Sequence, residues 1–210
     1  MGNLLFISGP HGGGKTTLVK QLCEQSTGKI MIPELVTQVP KLKASYSNRL
    51  AIKIAQRTLE NYESFLLAKQ NPDKIILGNR CIYDAMAYDN AYYLRGWVSM
   101  EEKSFLDRTT EAYFNSIGIG EPFAIVLNPS LEVLVRHLEN RWKNNEKKWH
   151  EEDFQYLAFA RESFEMFKDN PLVYYIDHEI DLNGNDTKEL LEWIDQTYYG
   201  NEVMAQKFGT

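Results

Sequence analysis

The residues Gly9-Pro10-His11-Gly12-Gly13-Gly14-Lys15-Thr16 have the types and spacing to hold a phosphate chain. They fill every fixed position of the pattern G-x-x-x-x-G-K-[ST]. Glycines let the backbone turn tightly enough for successive N–H groups to point inward at an anion. Lys15 adds a mobile positive charge for terminal phosphates, and the Thr16 hydroxyl can hold Mg²⁺. Gly9, His11, Gly12, Gly13, Gly14, Lys15, Thr16 and Thr17 are therefore the candidate residues for binding a nucleoside triphosphate, with Thr16 also a candidate metal ligand.

Such a loop works only between a buried strand and a helix. Leu4-Leu5-Phe6-Ile7 before it is a short apolar run, which predicts a strand over 3–8. After it, apolar residues recur at helical spacing, so the loop feeds a helix N-terminus with its positive dipole end. That helix ends near 26–28, with Gly28 as its C-cap. Residues 29–34 read as a strand delivering Glu34. The segment 45–70 reads as a long helix with Leu50, Ile54, Leu59, Tyr62, Phe65 and Leu66 on an apolar stripe. Residues 74–77 form a third strand, ending in Gly78-Asn79-Arg80. A tyrosine-rich helix follows over 81–94. Ser99 and Glu102 have the spacing of a capping box that opens a helix reaching about 116. A fourth strand covers 122–127 and a helix 129–141. Further helices cover 151–168 and 187–198, with a fifth strand at 172–176 between them. The last dozen residues, 199–210, carry little pattern and are expected to be loose.

Strands alternating with helices predict an α/β fold with a five-stranded parallel sheet covered on both faces, its ligand at the carboxyl ends of the strands. Glu34, Asn79, Arg80 and Asn128 all stand just after strands. The 210 residues suffice for one core and predict a single domain. A net charge of −6 argues against a nucleic-acid partner or an acidic membrane surface. Cys23 and Cys81 are too few for a disulfide framework, and no apolar run reaches membrane-spanning length. With the first strand starting almost at Met1, these features predict a cytoplasmic protein.

The chain resembles the P-loop nucleoside and nucleotide kinases, the group of deoxynucleoside kinases and thymidylate kinases. Beyond the loop, three segments carry the resemblance. Ile32-Pro33-Glu34 is similar to the strand-end glutamate that serves deoxynucleoside kinases as a base. Asn79-Arg80-Cys81-Ile82-Tyr83-Asp84 is similar to the acidic-Arg-Ser and Asp-Arg-Tyr motifs after the third strand. Arg136-His137-Leu138-Glu139-Asn140-Arg141, with the polar residues after it, is similar to an arginine-bearing helical lid, here about 136–150.

The resemblance implies a kinase that uses ATP and Mg²⁺ to phosphorylate a nucleoside or nucleoside monophosphate. Lys15 would hold donor phosphates. Arg141, helped by Arg136, would close over the transferring group with a planar, permanent charge. The alternative for these arginines is an exposed helix face paired with Glu132 or Glu139. Glu34 would take the acceptor proton, and Arg80, Asp84 and Tyr83 would approach the acceptor. Tyr83, Tyr88 and Tyr92 could stack on its base, or form the core face of their helix. Trp142 and Trp149 could close on substrate or form a homodimer contact. Two departures from the group are visible: Asn79 stands where an acid is expected, and His11 where thymidylate kinases carry one. Two further readings stand beside the first: a kinase for another small metabolite, and a nucleotide-dependent switch without transferase activity.

Overall fold

A computed structural model describes residues 3–26, 28–33, 45–143, 147 and 150–198. Glu34, Trp149 and the segment 199–210 lie outside the described residues. The sheet is built from β1 (Leu4–Ser8), β2 (Ile30–Met31), β3 (Ile75–Asn79), β4 (Phe123–Leu127) and β5 (Val173–Ile176), all parallel, in the order β2-β3-β1-β4-β5.

Strand alternation divides the core. Leu4, Phe6, Ile76, Ala124 and Val126 point to one face, and Leu5, Ile7, Ile75, Leu77, Ile125 and Leu127 to the other. The second face is covered by α1 (Lys15–Gln25) and α7 (Asn185–Tyr198) through Leu18, Leu22, Leu190 and Ile194. The first is covered by α2 (Tyr46–Gln70), α3 (Ile82–Leu94), α4 (Met100–Ser116) and α6 (Phe154–Phe164). The helix α5 (Leu131–Trp142) leaves the end of β4 and packs Leu134 and Leu138 against the glycine-rich loop. The result is the three-layer α/β arrangement that the strand and helix pattern predicts.

Local signals set several boundaries. The Ser99–Glu102 capping box forms in both directions, at 3.1 and 2.8 Å. Ser45 caps α2, its hydroxyl accepting from the Asn48 N–H at 3.3 Å. The expected helix over 151–168 is shorter: Asp153 caps it, and its end tightens into a 3₁₀ turn, Glu165–Phe167. The apolar stripe expected on α2 is also split. Leu50 and Ile54 are buried, but Leu59, Tyr62 and Leu66 are exposed, while Glu60, Asn61 and Ser64 are buried instead. The reason lies beside the sheet's carboxyl edge, where α2 carries polar groups inward to hold the end of β3. Among the described residues, no helix is long and apolar enough to cross a membrane.

Between α3 and α4, Asp89 is fully buried and neither carboxylate oxygen meets a hydrogen-bond donor. Burial, with Asp107 nearby, pushes its carboxyl up to about 8, against the opposing pull of Lys103. The native state thus keeps a proton that the unfolded chain releases near pH 4. Asp89 should therefore cost stability progressively as pH rises from about 4 to about 8, with no further loss above that. Urea unfolding at pH 5 and pH 8.5 should show Asp89→Asn gaining on the parent protein at the higher pH. An unchanged difference between the two proteins would contradict this assignment.

Candidate active site

The carboxyl ends of the strands open onto a cleft of about 590 Å³ lined by the glycine-rich loop, the end of β3, the start and outer turns of α5, and residues 178–182 after β5. The loop lies where only glycine fits at two points. A Cβ on Gly9, whose φ is 135°, would sit 2.2 Å from the Leu127 carbonyl oxygen; one on Gly12, φ 81°, would sit 2.6 Å from that of Leu134. The loop is thereby pressed against both β4 and α5. Lys15 and Thr16 open α1, so their N–H groups have no intrahelical acceptor, and both residues line the cleft.

Lys15 Nζ donates to the carbonyls of Gly9 and Pro10, both at 2.7 Å. Burial, with Arg80 close by, lowers its pKa to about 7. Burial likewise lowers His11 to about 4, although Glu151 pulls the other way, so this imidazole is neutral. A neutral ring is the tolerable form beside Lys15 and Arg80, where an acid would have been paired.

Arg80 is held by its backbone. Its φ of 66° is left-handed, a costly conformation for a side chain with a Cβ. Three contacts fix it: the Arg80 N–H donates to Ile7 O at 3.0 Å, Asn61 Nδ2 donates to Arg80 O at 3.0 Å, and Arg57 Nη1 donates to Asn79 O at 3.1 Å. The guanidinium lies 5.4 Å over the Tyr88 ring, and Asp84 is 3.9 Å from its Nε. Asp84 also accepts from the Cys81 N–H at 3.1 Å, so it caps α3 while facing Arg80.

The tyrosines separate. Tyr83, a sequence candidate for substrate contact, lies in the core: its hydroxyl donates to Pro122 O at 3.0 Å and its ring packs on Phe167 at 4.8 Å. Its position on α3 turns it away from the cleft, which corrects that expectation. Tyr88 sits between Arg80 and His11, its ring 5.4 Å from the imidazole. Tyr92 joins Tyr46, Trp97 and Tyr156 in an aromatic cluster.

The helix α5 divides its arginines too. Arg141 lines the cleft and is ion-paired with Glu151. Arg136 is half exposed and paired with Glu179, outside the cleft lining. It therefore takes the exposed, paired arrangement, with a partner after β5 rather than on its own helix. Several residues here were not sequence candidates. His137 Nδ1 hydrogen-bonds the Gly12 carbonyl at 2.8 Å, and its Nε2 meets Glu179 at 2.9 Å. Glu151 is fully buried, and besides Arg141 it takes His11 at 3.2 Å and the Trp142 indole N–H at 3.2 Å. One carboxylate thus joins the phosphate loop to the end of α5.

For a metal, the donor chemistry is sparse. Thr16 presents an exposed hydroxyl at the cleft, Asn79 adds no charge, and among the described residues no three Asp, Glu, His or Cys side chains form a cage. This fits Mg²⁺ carried mainly by phosphate oxygens and water, with one protein hydroxyl.

Comparison with solved structures returns the same architecture. The chain resembles the deoxyadenosine kinase from M. mycoides with its products dCMP and dCDP bound, at 16% identity and TM-score 0.63, covering 92% of this chain and 99% of that one. It also resembles the thymidylate kinase from Candida albicans, at 20% identity and TM-score 0.60, covering 93% and 92%. Such identities speak to the fold alone. No curated protein sequence matches. The sequence model described as deoxynucleoside kinase matches residues 5–197, nearly the whole chain. A loop fit for phosphates, an arginine pinned after β3 and a match of that extent make the chain a member of the deoxynucleoside kinase family, a phosphotransferase acting on nucleosides or nucleotides.

Proposed function

We propose that this kinase moves the γ-phosphoryl group of ATP to a nucleoside or nucleoside monophosphate, with Lys15, Arg80 and Arg141 as the principal charges. The observation that carries the reading is the convergence of these three cations on one cleft, all lining it together with Thr16. Phosphoryl transfer asks a protein for alignment and for neutralisation of spreading negative charge, which such a group supplies. The bound dCMP and dCDP of the deoxyadenosine kinase and the substrate of the thymidylate kinase support acceptors of this chemical class.

Lys15 and the first N–H groups of α1 would take the donor phosphates. Mg²⁺, held through the Thr16 hydroxyl and phosphate oxygens, would supply further charge neutralisation. Arg141 would reach the transferring group, with residues 136–150 acting as a lid on a single domain. Arg136, tied to Glu179, would shape the lid rather than touch substrate. Glu34 stands as the acid–base group for a hydroxyl acceptor on the strength of its place after β2. Asp84 would brace Arg80 at the acceptor. The reading extends to a cytoplasmic enzyme, which the free thiols of Cys23 and Cys81 support. It also extends to a homodimer, supported by the exposed Phe105 and Tyr113 on α4, and to independence from nucleic acid, supported by the net charge of −6.

An ATP-consumption screen with Mg²⁺ against nucleosides and nucleoside monophosphates should find an acceptor that raises turnover, lost by at least about 100-fold in Lys15→Ala. Turnover that no such acceptor raises would refute the proposal. Phosphates beside Lys15 should restore its ammonium, so ATP binding at pH 8 should take up a proton. Calorimetry in two buffers of different ionisation enthalpy reads that uptake, which should vanish in Lys15→Met. By the same linkage, ATP affinity should weaken as pH rises above about 7. Glu151→Gln keeps the shape but removes the charge that holds Arg141. It should lower kcat by about tenfold or more with a smaller change in the Kd for ATP. A change confined to Kd would assign Glu151 to nucleotide binding alone.

A further inference from the structure

The ring of His137 stands between two acceptors. Its Nδ1 lies 2.8 Å from the Gly12 carbonyl oxygen, and its Nε2 lies 2.9 Å from the Glu179 carboxylate. A carbonyl oxygen only accepts hydrogen bonds. So does an ionised carboxylate, and Arg136 first, then His137, hold the Glu179 carboxyl below the ordinary carboxylate range. Both ring nitrogens must therefore donate, which only the imidazolium does. Either neutral tautomer keeps one bond and turns a lone pair on the other acceptor.

We propose that His137, as an imidazolium, is a positioning residue for phosphoryl transfer: it pins the phosphate loop and the segment after β5 to α5, and the site loosens when the ring gives up its proton. The proposal rests on the kinase reading above and adds proton-dependent control to the same cleft.

The tie reaches the loop where its backbone is tightly constrained. Gly12 has a φ of 81°, and the Cβ it lacks would sit 2.6 Å from the Leu134 carbonyl oxygen. Leu134 and His137 are one turn apart on α5, so one face of this helix both presses on Gly12 and holds its carbonyl. The N–H of the same peptide, that of Gly13, donates to Pro10 O at 3.2 Å. The peptide joining Gly12 to Gly13 is thus fixed at both ends, and the amides that follow it start from a set orientation. Arg141 stands one turn beyond His137 and lines the cleft with it. Holding α5 against the loop therefore also sets the reach of Arg141 toward bound phosphates.

Among the described residues, the charged and titratable groups that share the cleft lining with the ring are His11, Lys15, Arg80, Arg141, His178 and Glu179. Arg136, on the same helix, shares Glu179 with it. Glu179 is the one anion of this set, so removing its charge would leave the ring's proton among cations. The His137 side chain is 32% exposed, so that proton has a path to water.

Long-range ¹H–¹⁵N spectra read the protonation of each imidazole, and the chain has four histidines to separate. His137→Gln identifies the His137 signals. At pH 7 both nitrogens of His137 should carry a proton in the unliganded parent protein, and one of them should be bare in Glu179→Gln. Turnover is then followed from pH 7 to pH 9 at saturating ATP, where bound phosphates keep Lys15 charged. Parent kcat should fall by about fivefold over this range, and His137→Gln should show the lowered value at both ends. Glu179→Gln, which keeps the native ring, should reach the lowered value at a lower pH than the parent. One bare nitrogen in the parent at pH 7 would overturn the proposal and leave the kinase reading standing. So would a kcat profile that the parent and His137→Gln share. Two protonated nitrogens, reduced to one in Glu179→Gln, in a protein whose ATP turnover no nucleoside or nucleoside monophosphate raises, would support the imidazolium tie and instead refute the kinase reading.

Discussion

Like charge gathered at one edge of the sheet is the constraint on which the rest of this structure depends. Burial lowers the Lys15 pKa most, and Arg80, Arg57 and Arg141 stand near enough to lower it further. Such a group holds its geometry only if the backbone beneath it cannot yield. The glycine-rich loop is wedged between β4 and α5, and residues 79–80 are held by β1 and by two side chains of α2. The carboxylates then act as local counterweights. Glu60 faces Arg57, Asp84 faces Arg80, and Glu151 faces Arg141. Each of the three arginines faces one carboxylate, while Lys15 donates to the carbonyls of Gly9 and Pro10.

Glu151 shows how this arrangement spans the molecule. Burying a lone carboxylate is costly, and three donors around it offset that cost. Because those donors come from the phosphate loop and from the end of α5, the same charge that must be satisfied also ties the two walls of the cleft. His137 adds a parallel tie, joining Gly12 to Glu179 after β5. The donor half of the cleft is thus assembled from β1, β4 and β5 ends that are remote in sequence but adjacent in the sheet.

What could be read from the sequence follows from how local each determinant is. The phosphate loop and the Ser99–Glu102 capping box are written within a few residues, and both appear as expected. Arg80 could be placed because a strand end in a parallel sheet is itself a locator. Tyr83 could not, since α3 is apolar on nearly every side and its tyrosines give no phase. The α2 stripe misled because the helix turns polar residues toward β3, a need that only the assembled sheet reveals. His137 and Gly12 are 125 residues apart, and no local pattern links them.

The backbone at Arg80 has a consequence for how this protein could change. A left-handed φ suits glycine, so replacing the arginine by glycine would relieve strain while removing the charge at the cleft. Selection for stability of the backbone alone would push this position away from arginine, whereas the proposed binding of phosphate at the cleft would hold it there. On the proposed reading, residue 80 is a point where robustness and activity pull in opposite directions, and a screen that rewards heat resistance would tend to retrieve well-folded, silent proteins from it.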